Sequence, residues 1–92
     1  MTDKKQQLEF YEIADKYIDL ANELAKSIEP TNIGTALRYA AARYNTFEAS
    51  LNTNDLAKEK DKMIDLLVDD YRKMLNANMD DYIQLIAKRQ NK

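Results

Sequence analysis

The sequence predicts an all-α protein, a compact antiparallel bundle of three long helices with a short fourth helix. Three observations predict this class. Glycine and proline occur once each in 92 residues, which leaves little material for β-hairpins. Apolar residues recur at helical spacing along most of the chain. Polar breaks divide this pattern into helices of about 5–28, 33–51, 55–75 and 79–89, and a chain of this length is expected to form one domain, 1–92.

The first helix, 5–28, divides into an apolar half and a charged half. Its apolar half holds Phe10, Ile13, Ala14, Tyr17, Ile18, Leu20, Ala21, Leu24, Ala25 and Ile28. Proline disfavours α geometry in the residue before it, so Pro30 ends this helix. Thr31 or Asn32 is then expected to cap the second helix.

The second helix, 33–51, is predicted to lie at the centre of the bundle. One face carries Ile33, Ala36, Leu37, Ala40, Ala41, Tyr44, Phe47 and Leu51, and its small residues allow neighbouring helices to come close. Glu48 interrupts this face between Tyr44 and Leu51. Because the opposite face is neither apolar enough for a core nor charged enough for plain surface, it is a candidate contact surface.

The third helix, 55–75, is predicted to begin with Asn54 as its N-cap and Asp55 in its first turn. Its apolar stripe continues in phase through Tyr82 and Ile86, so one long helix is also possible. Unbroken, that helix would reach about 50 Å, far beyond the second helix, and its end would be uncovered. The sequence is therefore interpreted with a break, Asn78 capping a fourth helix.

Composition excludes several functions. The 14 basic and 16 acidic residues are interspersed, so no cluster suited to nucleic acid is expected. Cysteine and histidine are absent, which removes thiolate and imidazole ligands and most hydrolytic sites. No apolar run approaches the ~20 residues that span a bilayer. We expect a cytoplasmic protein that is not an enzyme, with no metal site, cofactor, nucleic-acid or membrane partner.

Three stretches resemble a small bacterial, all-helical family catalogued as a domain of unknown function. The stretches lie at 10–23, 39–47 and 71–83, and the most specific string is Tyr39-Ala40-Ala41-Ala42-Arg43-Tyr44-Asn45. Glu48 departs from the family pattern, where an apolar residue is expected. The resemblance implies an all-helical bacterial protein with no assigned activity.

The candidate binding residues all lie on the second helix. Tyr39, Ala42, Arg43 and Thr46 combine residue types favoured at recognition surfaces with a small, flat centre. They predict a protein-interaction or self-associating module, such as a homodimer. The alternative is that another segment of the same chain covers them.

A second hypothesis is a small-ligand or anion-binding protein. It uses Arg38, Arg43 and Asn45, with Glu48 as a further candidate. Helical spacing places the two arginines roughly 140° apart, so the hypothesis requires side chains that converge despite their positions on the helix. Glu48 is expected at the rim of the bundle, paired with a neighbouring helix, rather than as a functional acid.

Overall fold

A computed structural model of the chain describes the backbone of residues 4–90 and the side chains of residues 9–90. Over that range it contains three α-helices: α1 Lys4–Leu24, α2 Pro30–Leu51 and α3 Leu56–Gln90. The all-α class is therefore confirmed. The chain divides into two compact units, Met1–Phe47 and Glu48–Lys92. The antiparallel bundle stays a prediction.

Helix α1 ends four residues before the predicted position. The backbone N–H groups of Lys26 and Ser27 bond the carbonyls of Glu23 and Leu24, three residues back, at 3.3 and 3.2 Å. This change from the four-residue spacing tightens the chain into a turn, as is common where a helix ends. Pro30 then prevents Glu29 from continuing the helix.

Helix α2 begins earlier than predicted, and neither Thr31 nor Asn32 is its cap. The helix starts at Pro30, and the carbonyl of Glu29 accepts the N–H groups of Asn32 and Ile33 at 2.9 and 3.3 Å. Proline suits the first helical position, because its fixed φ is already helical and its missing N–H would have had no partner there. Glu29 therefore occupies the capping position.

Helix α3 is capped by Asp55, one residue after the predicted Asn54. The Asp55 carboxylate accepts the backbone N–H of Lys58 at 3.1 Å, and the Thr53 hydroxyl accepts the N–H of Asp55 at 3.0 Å. Both bonds fix the turn that precedes the helix. The preceding helix closes with Asn52, whose side-chain amide donates to the Glu48 carbonyl at 3.1 Å. The polar break at 52–54 is confirmed, with its roles shifted by one residue.

The predicted break at 76–78 and the fourth helix are not found, because α3 is continuous over 35 residues. Asn78 is an interior residue whose amide donates to the Met74 carbonyl at 2.8 Å. Neither glycine nor proline occurs in α3, so nothing in its backbone forces a break. Lys88 and Arg89 in the last turn favour the negative end of the helix dipole.

Neither unit has a core of its own, since no side chain from residue 9 to 90 is buried. Among the large exposed hydrophobic side chains of Met1–Phe47, the least exposed are Leu37, at 38%, Leu24 and Ile28. In Glu48–Lys92 even Leu75 remains 40% exposed. The predicted apolar stripes are present on the helices, but neither unit buries its own.

Candidate functional site

Four predicted contact residues on α2 share one face of the helix. Tyr39, Ala42, Arg43 and Thr46 follow the i, i+3, i+4, i+7 spacing, and we call them the α2 surface. All four are exposed, and Tyr39 exposes 63% of its area. The Thr46 hydroxyl donates to the Ala42 carbonyl at 2.8 Å, so the helix itself satisfies it. The surface presents an aromatic ring and a guanidinium on either side of a small residue.

Arg43 makes no hydrogen bond or ion pair within the described part of the chain. Its guanidinium is exposed, so all of its donors are open to a partner. Guanidinium groups are enriched at protein interfaces, since they combine a planar face with a fork of donors. Among the residues of the α2 surface, Arg43 therefore offers the strongest polar contact.

Arg38 belongs to a different network. Its guanidinium donates to the Thr35 hydroxyl at 3.2 Å, and that hydroxyl donates to the Thr31 carbonyl at 3.1 Å. A Cβ built on Gly34 would lie 3.8 Å from Arg38 Nη1, which shows that the arginine extends over the start of α2. The side chain therefore lies toward the N-terminal end of its helix.

The structure does not gather Arg38, Arg43 and Asn45 at one place on the helix. Arg38 and Asn45 share a face but are seven residues apart, about 10 Å along the axis, whereas Arg43 lies roughly 140–160° around the helix from both. Asn45 is half-buried and makes an interaction of its own. An anion could therefore contact Arg38 or Arg43, but not both, on one face of α2.

Glu48, which belongs to the second unit, is exposed. Glu48 makes an interaction of its own, and its backbone carbonyl accepts the side-chain amide of Asn52. Glu48 is thus a residue of the α2 terminus and not a buried carboxyl group.

A long apolar face on α3 is the main feature that the predicted site residues leave out. We call it the α3 stripe: Ile64, Leu67, Val68, Tyr71, Met74, Leu75, Met79, Tyr82, Leu85 and Ile86. Each of these side chains exposes between 40% and 62% of its area. Helical periodicity predicts all of them except Met79, but the assumed break at Asn78 divided the stripe into two shorter faces.

A hollow of about 340 Å³ lies at the middle of this stripe. Val68, Tyr71, Leu75 and Met79 form its apolar part, and Arg72 and Asn76 form its polar edge. All six side chains belong to α3, so the hollow is a depression along one helix face. Helix packing seats ridges of one helix in grooves of another, so a depression on a helix face is a place where a side chain of a second helix can pack.

Metal clusters and membrane-spanning helices are both absent from the described residues. No group of three or more acidic side chains there is placed to hold a metal ion. No helix within that range combines the length and the apolar character that crossing a membrane requires. The adjacent carboxylates Asp69 and Asp70, and likewise Asp80 and Asp81, diverge by ~100° on α3.

Comparison with known proteins shows a match to a protein family. A family model described as "Protein of unknown function (DUF3144)" matches residues 10–83. That range includes all of α2 and most of α1 and α3. No curated protein and no solved structure showed a significant match.

Proposed function

Since the chain belongs to the DUF3144 family, whose description assigns no activity, we propose its function from its own surfaces: it is a helical protein-interaction module that self-associates. The α2 surface is one of its contact sites. The observation that carries the proposal is the absence of a buried side chain between residues 9 and 90, although large hydrophobic residues lie on every helix.

Uncovered helical stripes have a physical cost. Most helix stability in proteins comes from packing an apolar face, and isolated helices are marginal in water. Large contiguous apolar patches on a protein mark interaction sites, because water is released when a partner covers them. Three amphipathic helices whose units leave these faces open are therefore suited to association.

The α2 surface supplies specificity in this proposal. Tyr39 presents a large ring with few rotatable bonds, and Arg43 presents unused donors beside it. Aromatic and arginine side chains carry much of the binding energy at interfaces. Ala42 between them allows the backbone of a partner helix to approach closely.

Small-ligand or anion binding is the weaker proposal, because Arg38, Arg43 and Asn45 lie on two faces of α2. We assign no catalytic residue and no cofactor. The balanced, interspersed charge favours protein partners over nucleic acid, and we propose a cytoplasmic location on the same composition.

Titration of a fluorescently labelled chain with unlabelled chain tests the proposal. Anisotropy should rise with a measurable dissociation constant, and Tyr39→Ala should raise that constant about tenfold or more. Tyr11→Ala is a matched control, because Tyr11 is 64% exposed on α1 and loses the same ring. Circular dichroism confirms that both variants keep wild-type helix content.

No anisotropy change at any concentration would refute self-association. An equal effect of Tyr11→Ala and Tyr39→Ala would contradict a contact site on the α2 surface. Loss of helix content in Tyr39→Ala alone would show that Tyr39 stabilises the fold of one chain instead.

A further inference from the structure

We propose, resting on the self-association above, that two copies of the chain pair through antiparallel contact of their α3 stripes. The partner of this surface is thus a second α3. Its contact runs from about residue 63 to residue 90, with the two-fold axis between Asn76 and Ala77.

Length favours a second copy as the occupant. Helix α3 has 35 residues, whereas α1 has 21 and α2 has 22. At 1.5 Å per residue these lengths are about 52, 32 and 33 Å, whereas the proposed contact from residue 63 to residue 90 is about 42 Å long and exceeds both other helices. Another α3 has the required length and the same apolar face.

Area also fits a stable dimer. Ten half-exposed large side chains retain roughly 100 Å² each, or about 1,000 Å² per copy. Covering two thirds of that area on both copies would remove about 1,300 Å² from water. Specific protein interfaces bury roughly 1,200–2,000 Å² in total, so the stripe is sufficient by itself.

The order of residues along the stripe favours the antiparallel orientation. Counted outward from the midpoint, Tyr71 corresponds to Tyr82, and Val68 corresponds to Leu85. In an antiparallel pair Tyr71 therefore faces the partner's Tyr82 beside the central hollow. A two-fold interface requires such self-complementarity, because every contact between two residues occurs twice, once in each direction across the axis.

Charges at the ends of the stripe select between the two orientations. A parallel pair in register would place Arg89 opposite the partner's Arg89, and Asp61 opposite the partner's Asp61. In the antiparallel pair Arg89 faces the partner's Ile64, about one helical turn from the partner's Asp61, the partner's Asp65 and the partner's Lys60. Two acidic side chains and one basic side chain then lie near Arg89 at each end, a net opposite charge, whereas the parallel pair brings like charges together.

Pulsed electron paramagnetic resonance on the full chain tests this geometry. The sequence contains no cysteine, so one introduced cysteine carries the only nitroxide label of each copy. Suitable variants are Asn76→Cys, Ala87→Cys and Lys62→Cys. In an antiparallel pair two labels separate along the axis by about 3 Å per residue from the midpoint, giving roughly 2, 31 and 43 Å.

Each outcome decides between the proposals. Distances that increase in that order support the antiparallel pair. Equal short distances at all three positions indicate a parallel pair, and a dimer without measurable distances places the contact away from α3; both overturn this inference but leave self-association intact. A monomer by sedimentation overturns self-association itself.

A charge exchange provides a second test of the same contact. Arg89→Asp should raise the dissociation constant at least tenfold, and adding Asp61→Arg and Asp65→Arg should restore it. Lys88→Asp is the matched control, since it also replaces a positive charge by a negative one, but at a residue that lies off the face of the stripe. An equal effect of Arg89→Asp and Lys88→Asp, or a failure of the added arginines to restore affinity, would overturn the proposed pairing.

Discussion

Asn78 donates its side-chain amide to the carbonyl oxygen of Met74, 2.8 Å away and one turn earlier in the same helix. An asparagine that caps a helix accepts a hydrogen bond from the turn that follows it. Asn78 instead bonds backward, which is the behaviour of a polar residue inside a helix. This one bond distinguishes a continuous α3 from two helices joined at residue 78, and it leaves a long apolar face intact.

The role of Asn78 predicts the sign of a substitution. Asn78→Ala should stabilise the chain by about 0.5 kcal/mol, because alanine has the higher helix propensity and removes a polar group from an apolar face. Were Asn78 an N-cap, the same change would cost about 1 kcal/mol. Urea unfolding followed by circular dichroism, at matched protein concentration, measures the difference.

Asp55 predicts the opposite result and serves as the control for Asn78. Its carboxylate accepts the Lys58 N–H at the start of α3, so Asp55→Ala should destabilise the chain by ~1 kcal/mol. Asp55→Asn should retain most of the stability, because the amide oxygen can accept the same bond. Equal stability of the wild type and Asp55→Ala in urea would contradict the assignment of Asp55 as the cap.

The start of α2 gives a prediction about residues that were expected to cap it. Thr31 and Asn32 both lie inside the helix that begins at Pro30. Thr31→Ala and Asn32→Ala should therefore change the free energy of unfolding by less than about 0.5 kcal/mol. If either variant lowered the free energy of unfolding by about 1 kcal/mol in thermal or urea unfolding, that residue would be the cap of α2.

Leu37 tests whether one chain buries the apolar face of α2. It lies on that predicted face, yet it remains 38% exposed in the chain. Changing a fully buried leucine to alanine costs ~2–5 kcal/mol. Because Leu37 is only partly buried, we expect Leu37→Ala to lower the free energy of unfolding by less than about 2 kcal/mol. Calorimetry measures the difference, and a cost of ~2–5 kcal/mol would show that one chain buries Leu37.

Much of the helical structure could be predicted from the sequence, because periodicity and breakers act locally. The end of the first helix before Pro30 and the polar break at 52–54 depend on residues close to one another. Capping was harder to place, since Asn54 and Asp55 have similar propensities and differ only in the geometry of the turn. The cap of α3 was wrong by one residue, and the cap of α2 is Glu29 instead of Thr31 or Asn32.

The sequence did not predict the continuity of α3, and there is a physical reason for that error. The break at Asn78 rested on the assumption that one chain must cover its own apolar surface, and a helix of about 50 Å would then have an uncovered end. The structure has that uncovered end. For the candidate site, the sequence could place Tyr39 and Arg43 on one face, but it could not show that Arg38 extends toward Thr35.

The most direct test of self-association is sedimentation equilibrium of the wild-type chain from about 1 μM to 500 μM, with circular dichroism at the same concentrations. The average mass should rise from the 10.7 kDa of one chain toward twice that value, and the melting temperature should rise with it. A constant mass of 10.7 kDa, together with one cooperative melting transition that does not depend on concentration, would show that a single chain covers its own helical faces and would contradict the proposed function.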